Sequence, residues 1–311
     1  MNGVTIPVFL DKSNDYSTEV LEPVIERMCE LLELPSKVEG KKVLLKPNLL
    51  TAKPPAYSCT DPRFILCVAR WFVEHGAEVY LGDSPAFGTT TGVLKSLGLI
   101  GELEKLDIKV ADFSSIRKVE MENGGKLLIA KEALECDLLI NLPKVKAHSQ
   151  MYTTLAVKNL FGTVKGFHKA MLHVSHGDSY AQFSEMLLFL SNCFKDCITI
   201  VDGIEVIHKA GPIDGESLMA GIVAGGWNTM AIDVGLTTLL GLDQSQNPLI
   251  IEGQKKMIPG AFSHNIHYPL LSPEDFKISF CAPVSRKPIS FHPLKLTLSM
   301  FKRLWRKISA S

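Results

Sequence analysis

Apolar positions along the chain switch repeatedly between a helical and a strand period, and the order of the switches sets the architecture. Val20, Leu21, Val24, Ile25, Met28, Leu31 and Leu32 recur at three- and four-residue spacing behind Ser17 and Thr18, two capping candidates, which predicts an amphipathic helix. Lys42 to Lys46 is a short apolar run stopped by Pro47, followed by a proline-rich loop to Thr60; this is a buried strand leading into a loop. Asp61-Pro62 opens a helix that runs through Phe72 and closes at Gly76, with a capping carboxylate followed by proline at the first helical position. A strand at Glu78 to Leu81 enters Gly82-Asp83-Ser84-Pro85, and a Gly/Thr-rich loop leads to a short helix from Thr91 to Leu97. Strand, loop and helix repeated in this order predict an α/β fold, a mostly parallel open sheet with helices on both faces.

Beyond that unit, Asn123-Gly124-Gly125 between Val119 and Leu128 predicts a small hairpin insertion. Leu138 to Leu142 is a strand stopped by Pro143, helices are expected over Thr153 to Phe161 and Ser179 to Phe194, and a strand at Ile198 to Val201 ends in Asp202-Gly203. Residues 203 to 224 carry Gly/Pro turns, after which Asn228 or Thr229 caps a helix to about Leu240. The organisation expected is an α/β domain over residues 1–260, an irregular extension over 261–293 with one strand at Phe276 to Phe280, and a basic amphipathic helix over 294–311. In that last segment Leu296, Leu298, Phe301, Leu304, Trp305 and Ile308 oppose Lys302, Arg303, Arg306 and Lys307. Its stripe either docks on the core or makes a peripheral membrane or partner contact.

Composition narrows the class. The 311 residues are 46% hydrophobic and 21% charged, a globular balance able to bury a large core. With 33 basic against 33 acidic residues, no general field favours nucleic acid, which is not expected as a partner. Seven cysteines are scattered without Cys-x-x-Cys spacing, so no iron–sulfur cluster is expected in this chain. Cys193 and Cys197 alone lie close together, as a buried pair or as a redox or metal pair. Without a secretory segment at Met1 to Leu10 or any run of 18 apolar residues, a cytoplasmic protein with reduced thiols is expected.

Three strands end in polar residues, Lys46-Pro47-Asn48, Gly82-Asp83-Ser84 and Asn141 to Lys144. In an open parallel sheet such ends converge on one crevice. Lys144, Lys146, His148, Lys158, Asn159 and Lys165 fall within 25 residues. Lys158 lies between Val157 and Leu160 in an apolar stretch, where an ammonium requires an anion or carboxylate nearby; the competing reading is a solvated face with lysine stems lying over apolar residues. With Lys46 these cations suit a phosphate or carboxylate, and Asn48 and Asn159 are orienting donors. Neither a P-loop nor a dinucleotide fingerprint is present. His168, His173 and His176 with Asp178 leave three readings open: a divalent metal site completed by Asp83 or Asp202, a general acid or base, or ordinary histidines. Asp233, inside an apolar helix, is a candidate site residue or the buried partner of a lysine.

KPNLL (46–50), GDSP (82–85), INLPKVKAH (140–148), VKNLFG (157–162), Lys169 and His173, IVDGI (200–204), GP (211–212) and AID (231–233) occur in a fixed order. The set resembles a prokaryotic family of unknown function often labelled "uncharacterized iron-sulfur center protein" and frequently joined to a ferredoxin-type domain. The resemblance covers roughly residues 40–260, and the cluster cysteines are the part this chain lacks. It implies a redox-linked or metal-assisted enzyme, an oxidoreductase or isomerase. The family is also distantly similar to the nickel-cofactor lactate racemase catalytic domain, which implies histidine-plus-lysine chemistry on a small hydroxy acid or carboxylate. The expected catalytic residues are His148, His173, Asp83 and Asp202. Those expected to bind a small anionic substrate are Lys46, Asn48, Lys144, Lys146, Lys158, Asn159 and Asp233. The alternative is a non-catalytic accessory protein that docks a ferredoxin-like redox partner or delivers a cofactor.

Overall fold

The chain enters through two short strands, β1 (Ile6–Pro7) and β2 (Phe9–Lys12), before helix α1 (Thr18–Leu31). The anticipated alternation then follows in β3 (Lys42–Pro47), α2 (Pro62–Glu74), β4 (Glu78–Gly82), α3 (Thr90–Ser96), α4 (Ile100–Lys105) and β5 (Lys109–Ala111). The hairpin of β6 (Ile116–Glu120) and β7 (Lys126–Ala130) stands apart as its own two-stranded sheet, followed by α5 (Lys131–Glu135). Next come β8 (Leu138–Leu142), β9 (Lys144–His148), β10 (Tyr152–Thr154), α6 (Ala156–Asn159), α7 (Gly166–His176) and α8 (Tyr180–Asn192). The chain continues through β11 (Cys197–His208), β12 (Glu216–Gly226), α9 (Thr229–Leu239), α10 (Pro248–Lys255) and β13 (Ile266–His267). This computed structural model describes residues 5–53 and 56–283.

The main sheet runs β5, β4, β3, β8, β11 with every neighbour parallel, and β12 and then β2 add antiparallel strands beyond β11. Its central strands are continuous apolar runs because both faces are covered. In β3, Val43 and Leu45 join one core with Ile25, Met28, Phe64 and Phe72 of α1 and α2. Leu44 points the other way, into a core with Val157, Leu187 and Ile232 of α6, α8 and α9. Lys46 and Asn141 share a strand face with Leu44 and Leu139, so the sheet's polar carboxyl ends lie beneath α6.

Pro143 interrupts β8 without ending its course. Leu139 and Asn141 pair with Cys197 and Thr199, and beyond the proline β9 continues along β11, with Lys144 opposite Asp202. The other edge of β9 carries β10 antiparallel. One extended segment thus delivers Asn141, Lys144, Lys146 and His148 to the same end of the sheet.

Several expectations are corrected. Residues 203–224 are mostly strand: β11 and β12 form a long antiparallel pair, and the turn is confined to 209–215. Gly203 serves close packing here, since a Cβ on it would meet Ile222 Cβ at 2.9 Å. The helix expected over 153–161 shrinks to α6, because Tyr152 to Thr154 pair with β9 and a 3-10 turn takes over at Leu160–Thr163. Phe276 to Phe280 form no strand; Phe276 and Phe280 bury their rings in the core without pairing to a sheet edge. Residue 266, within the expected irregular extension, pairs in parallel with Ile6. Ser17 stands at the start of α1 but makes no side-chain cap, whereas Asp61 and Asn228 cap α2 and α9 as expected. The basic helix expected at 294–311 lies outside the described residues. Among the described residues, no helix is long and apolar enough to cross a membrane.

Candidate functional site

At the carboxyl ends of β3 and β4, Lys46 Nζ lies 2.8 Å from Asp83 Oδ1, and both side chains are buried. Lys46 also donates to the Pro47 carbonyl at 2.7 Å, while Asp83 Oδ2 accepts from the Leu49 amide at 2.8 Å. Burial lowers the Lys46 pKa, and the Asp83 charge opposes that shift. Gly162 closes over the pair: a Cβ there would lie 1.9 Å from Asp83 Oδ1 and 2.5 Å from Lys46 Nζ. Its carbonyl accepts from the Ser84 amide at 2.9 Å, so the backbone after α6 sits directly on the ion pair, which only glycine permits.

A chain of side-chain amides runs beside this pair. Lys146 Nζ donates to Asn48 Oδ1 at 2.8 Å and to the Ser58 carbonyl at 2.8 Å. Asn48 Nδ2 donates to Asn159 Oδ1, and Asn159 Nδ2 donates to Asn141 Oδ1, each at 2.8 Å. Asn141 Nδ2 ends the chain on the Ala156 carbonyl at 3.0 Å and Thr199 Oγ1 at 3.1 Å. A lysine can only donate and a carbonyl can only accept, so the two ends force one orientation on all three amides. Burial pushes the Lys146 pKa down to about 8.

Above the chain stand the groups least compensated by the protein. Lys158 Nζ lies 4.6 Å from the Phe161 ring centre and 5.7 Å from that of Phe183. The carboxylate expected beside it is not there among the described residues; aromatic faces take its place. Burial, then the charges of Lys169, Lys146 and Lys46, push its pKa down to about 7. Lys169 donates to the Ser84 carbonyl, and burial pushes its pKa down to about 8. His173 stacks on Phe183 at 4.8 Å and meets Phe161 edge-on at 5.5 Å. Burial and the charges of Lys158 and Lys169 hold its pKa near 3. His148 Nδ1 accepts from the amides of Gln150 and Met151 at 3.1 and 3.2 Å. Burial, Lys158, Lys146 and His173 keep its pKa well below the usual value, so its ring is neutral with the proton on Nε2.

Two expected site residues lie in a separate, closed arrangement. Lys144 Nζ donates to Asp202 Oδ2 and to the Tyr16 hydroxyl, both at 2.8 Å, and Tyr16 donates to Asp202 Oδ1 at 2.7 Å. The Asp61 amide adds a bond to Asp202 Oδ2 at 2.8 Å. Burial and the Asp202 charge raise the Tyr16 pKa well above its ordinary value. Among the described residues Asp233 pairs with no lysine. Its Oδ1 accepts from the amides of Ala156 and Val157 at 2.7 and 3.4 Å, capping α6 from another element, and burial pushes its carboxyl up to about 8.

Lys46, Asn48, Asp83, Lys146, His148, Lys158, Asn159 and His173 therefore come together, Lys144 and Asp202 form a neighbouring pair, and Asp233 holds α6 beneath them. His168 turns away, its Nε2 at 2.8 Å from the Lys126 carbonyl, and His176 bonds Ser175. Among the described residues no three His, Cys, Asp or Glu side chains gather to hold an ion. Sequence reasoning left Lys169, Asn141, Gly162 and Tyr16 out of the site. Lys169 stands one helical turn before His173, and Asn141 closes an apolar strand, so both carried a signal; Tyr16, in a polar stretch before α1, carried none.

A family model described as "Domain of unknown function (DUF362)" matches residues 43–238. A thylakoid-associated protein of Synechocystis sp. is 34% identical over 269 residues, covering 86% of this chain and 84% of its own length. Among solved structures, the lactate racemase apoprotein from Thermoanaerobacterium thermosaccharolyticum has a TM-score of 0.50 at 16% identity, over 78% of this chain and 58% of that one. A Thermotoga maritima protein has a TM-score of 0.45 at 16% identity, over 70% and 57%. The chain spans less than two thirds of either solved structure, and the racemase likeness is one of fold.

Proposed function

The chain belongs to the DUF362 family, and on that footing we propose that it is an enzyme acting on a small carboxylate- or phosphate-bearing molecule held by the lysine cluster. The supporting observation is the charge balance. Asp83 pairs with Lys46 and its charge also acts on Lys146 and Lys169, Lys158 lies beside these cations, and each of the four lysines has a lowered pKa. An anion entering the cluster would relieve that excess and raise those values. Lys158 and Lys169 would hold it directly, with Lys46 and Lys146 behind them, while Lys144 and Asp202 keep β9 in place.

His148 would present Nε2–H to the anion or to an adjacent carbonyl oxygen. His173 is neutral near pH 7, the form that accepts a proton, and a bound anion would raise its pKa toward the working range of a base. Ammonium groups beside a neutral imidazole stabilise negative charge developing next to a carboxylate. This favours proton transfer or isomerisation over redox chemistry. The seven free cysteines suit the reducing cytoplasm.

The test is thermal stabilisation and calorimetry with phosphate, oxalate, lactate and pyruvate, on the wild type and on Lys158→Met/Lys169→Met. At least one anion is expected to raise the wild-type melting temperature by several degrees, and the double variant to lose the response. No response to any anion, or an unchanged response in the variant, overturns the reading.

A further inference from the structure

Lys158 differs from its neighbours in what its amine touches. Lys46 has Asp83, Lys146 has Asn48 and the Ser58 carbonyl, and Lys169 has the Ser84 carbonyl. Among the described residues no hydrogen bond or ion pair holds Lys158 Nζ, which lies over Phe161 and Phe183 instead. The residue is half-buried, unlike Lys46, Lys144 and Lys146, which are enclosed. Its backbone is fixed on both sides, by Asp233 on the Ala156 and Val157 amides and by the Asn159 side chain in the amide chain. An amine on a rigid support, beside aromatic faces and other cations, matches the setting in which lysines act as nucleophiles.

We propose that Lys158 is an amine nucleophile that condenses with the carbonyl carbon of a small 2-oxo acid, whose carboxylate rests on the ammonium group of Lys169. The inference rests on the anion-binding reading and names its substrate class. A 2-oxo acid carries its carboxylate next to its carbonyl, so an anion seated on that ammonium group brings the carbonyl to Lys158. The nitrogen lone pair forms a C–N bond as the C=O π pair moves to oxygen. Both N–H hydrogens then pass to that oxygen, which leaves as water, and a neutral imine remains. His148 Nε2–H is the donor at hand for the carbonyl oxygen. The displaced pKa of about 7 supplies free amine at neutral pH, which an exposed lysine lacks.

The experiment is trapping of the full-length protein with pyruvate and borohydride, read by peptide mass mapping, beside thermal stabilisation by pyruvate and by lactate, which has no carbonyl. One reductively added pyruvate at Lys158 is expected, at least about tenfold above exposed Lys105, rising as the pH passes 7. Lys158→Arg should remove that label, and because the labelling is read on the wild type, misfolding of the variant cannot decide the outcome. Absence of label at Lys158, or label spread evenly over exposed lysines, overturns the inference. If lactate and pyruvate still stabilise the protein in that case, the anion-binding reading stands; if neither they nor phosphate do, it falls as well.

Discussion

Two groups of lysines, buried or half-buried, lie at the same end of one sheet and are treated in opposite ways. Lys144 is enclosed by Asp202 and Tyr16, each group bonded to the other two. Lys46, Lys146 and Lys169 share one carboxylate, Asp83, and Lys158 faces aromatic rings. Lys144, Lys146 and Lys158 all lie within the stretch the sequence marks as rich in lysine, so position in the sequence does not separate a lysine enclosed by its own counter-charge from one without it. The separation comes from compensation: where the protein supplies the counter-charge the lysine builds the fold, and where it does not the proposed anion would supply it.

That contrast breaks most readily at the closed group. Asp202→Ala leaves Lys144 buried without its carboxylate, and urea unfolding should show a loss of about 3–5 kcal/mol; a loss under about 1 kcal/mol would make the closed group no more structural than the open one. Gly162→Ala drives a methyl into the Lys46–Asp83 pair and should lower stability by about 3 kcal/mol while abolishing thermal stabilisation by anions. Asn159→Ala strands Asn48 Nδ2 and Asn141 Oδ1, for an expected loss of about 2 kcal/mol in the same denaturation assay.

The remaining effect has the opposite sign. The folded pKa of Lys158, about 7, lies below the lysine value of 10.5, so between those values the unfolded chain binds more protons and stability gains with rising pH. Lys158→Met should therefore be more stable than the wild type at pH 6, with the gap closing by about pH 10. Calorimetric melts across that range check it, and a gap that widens with pH would sink the assignment of Lys158 to the uncompensated group.

Local pattern made much of the fold legible. The Val43–Leu45 and Leu138–Leu142 runs are strands buried on both faces, and Asp61-Pro62 opens α2 as its chemistry dictates. Legibility failed where a distant element decides. Tyr152 to Thr154 carry no periodic signal and become strand through pairing with β9, and α6 begins where Asp233, 77 residues later, caps it. Phe276 and Phe280 have strand spacing and no edge to pair with. In the site, residue types and strand ends pointed to Lys46, Asn48, Lys146 and Asn159 together. Whether a given lysine had a counter-charge depended on Asp202, Tyr16 and Phe183, whose spacing from those lysines along the chain carries no sign of contact.

The oriented amides between Lys146 and the start of α6 have one more consequence. Each turns its oxygen toward the lysine and its nitrogen away, so their dipoles align head to tail with the negative end at Lys146. They stand in for a hydration shell that cannot reorient, solvating an ammonium in the interior without placing a carboxylate where an anion would have to compete with it. Since the orientation is imposed from both ends, little of that polarisation has to be rebuilt when charge changes nearby. Under the proposed function, the site would keep its positive potential through a cycle of binding and release.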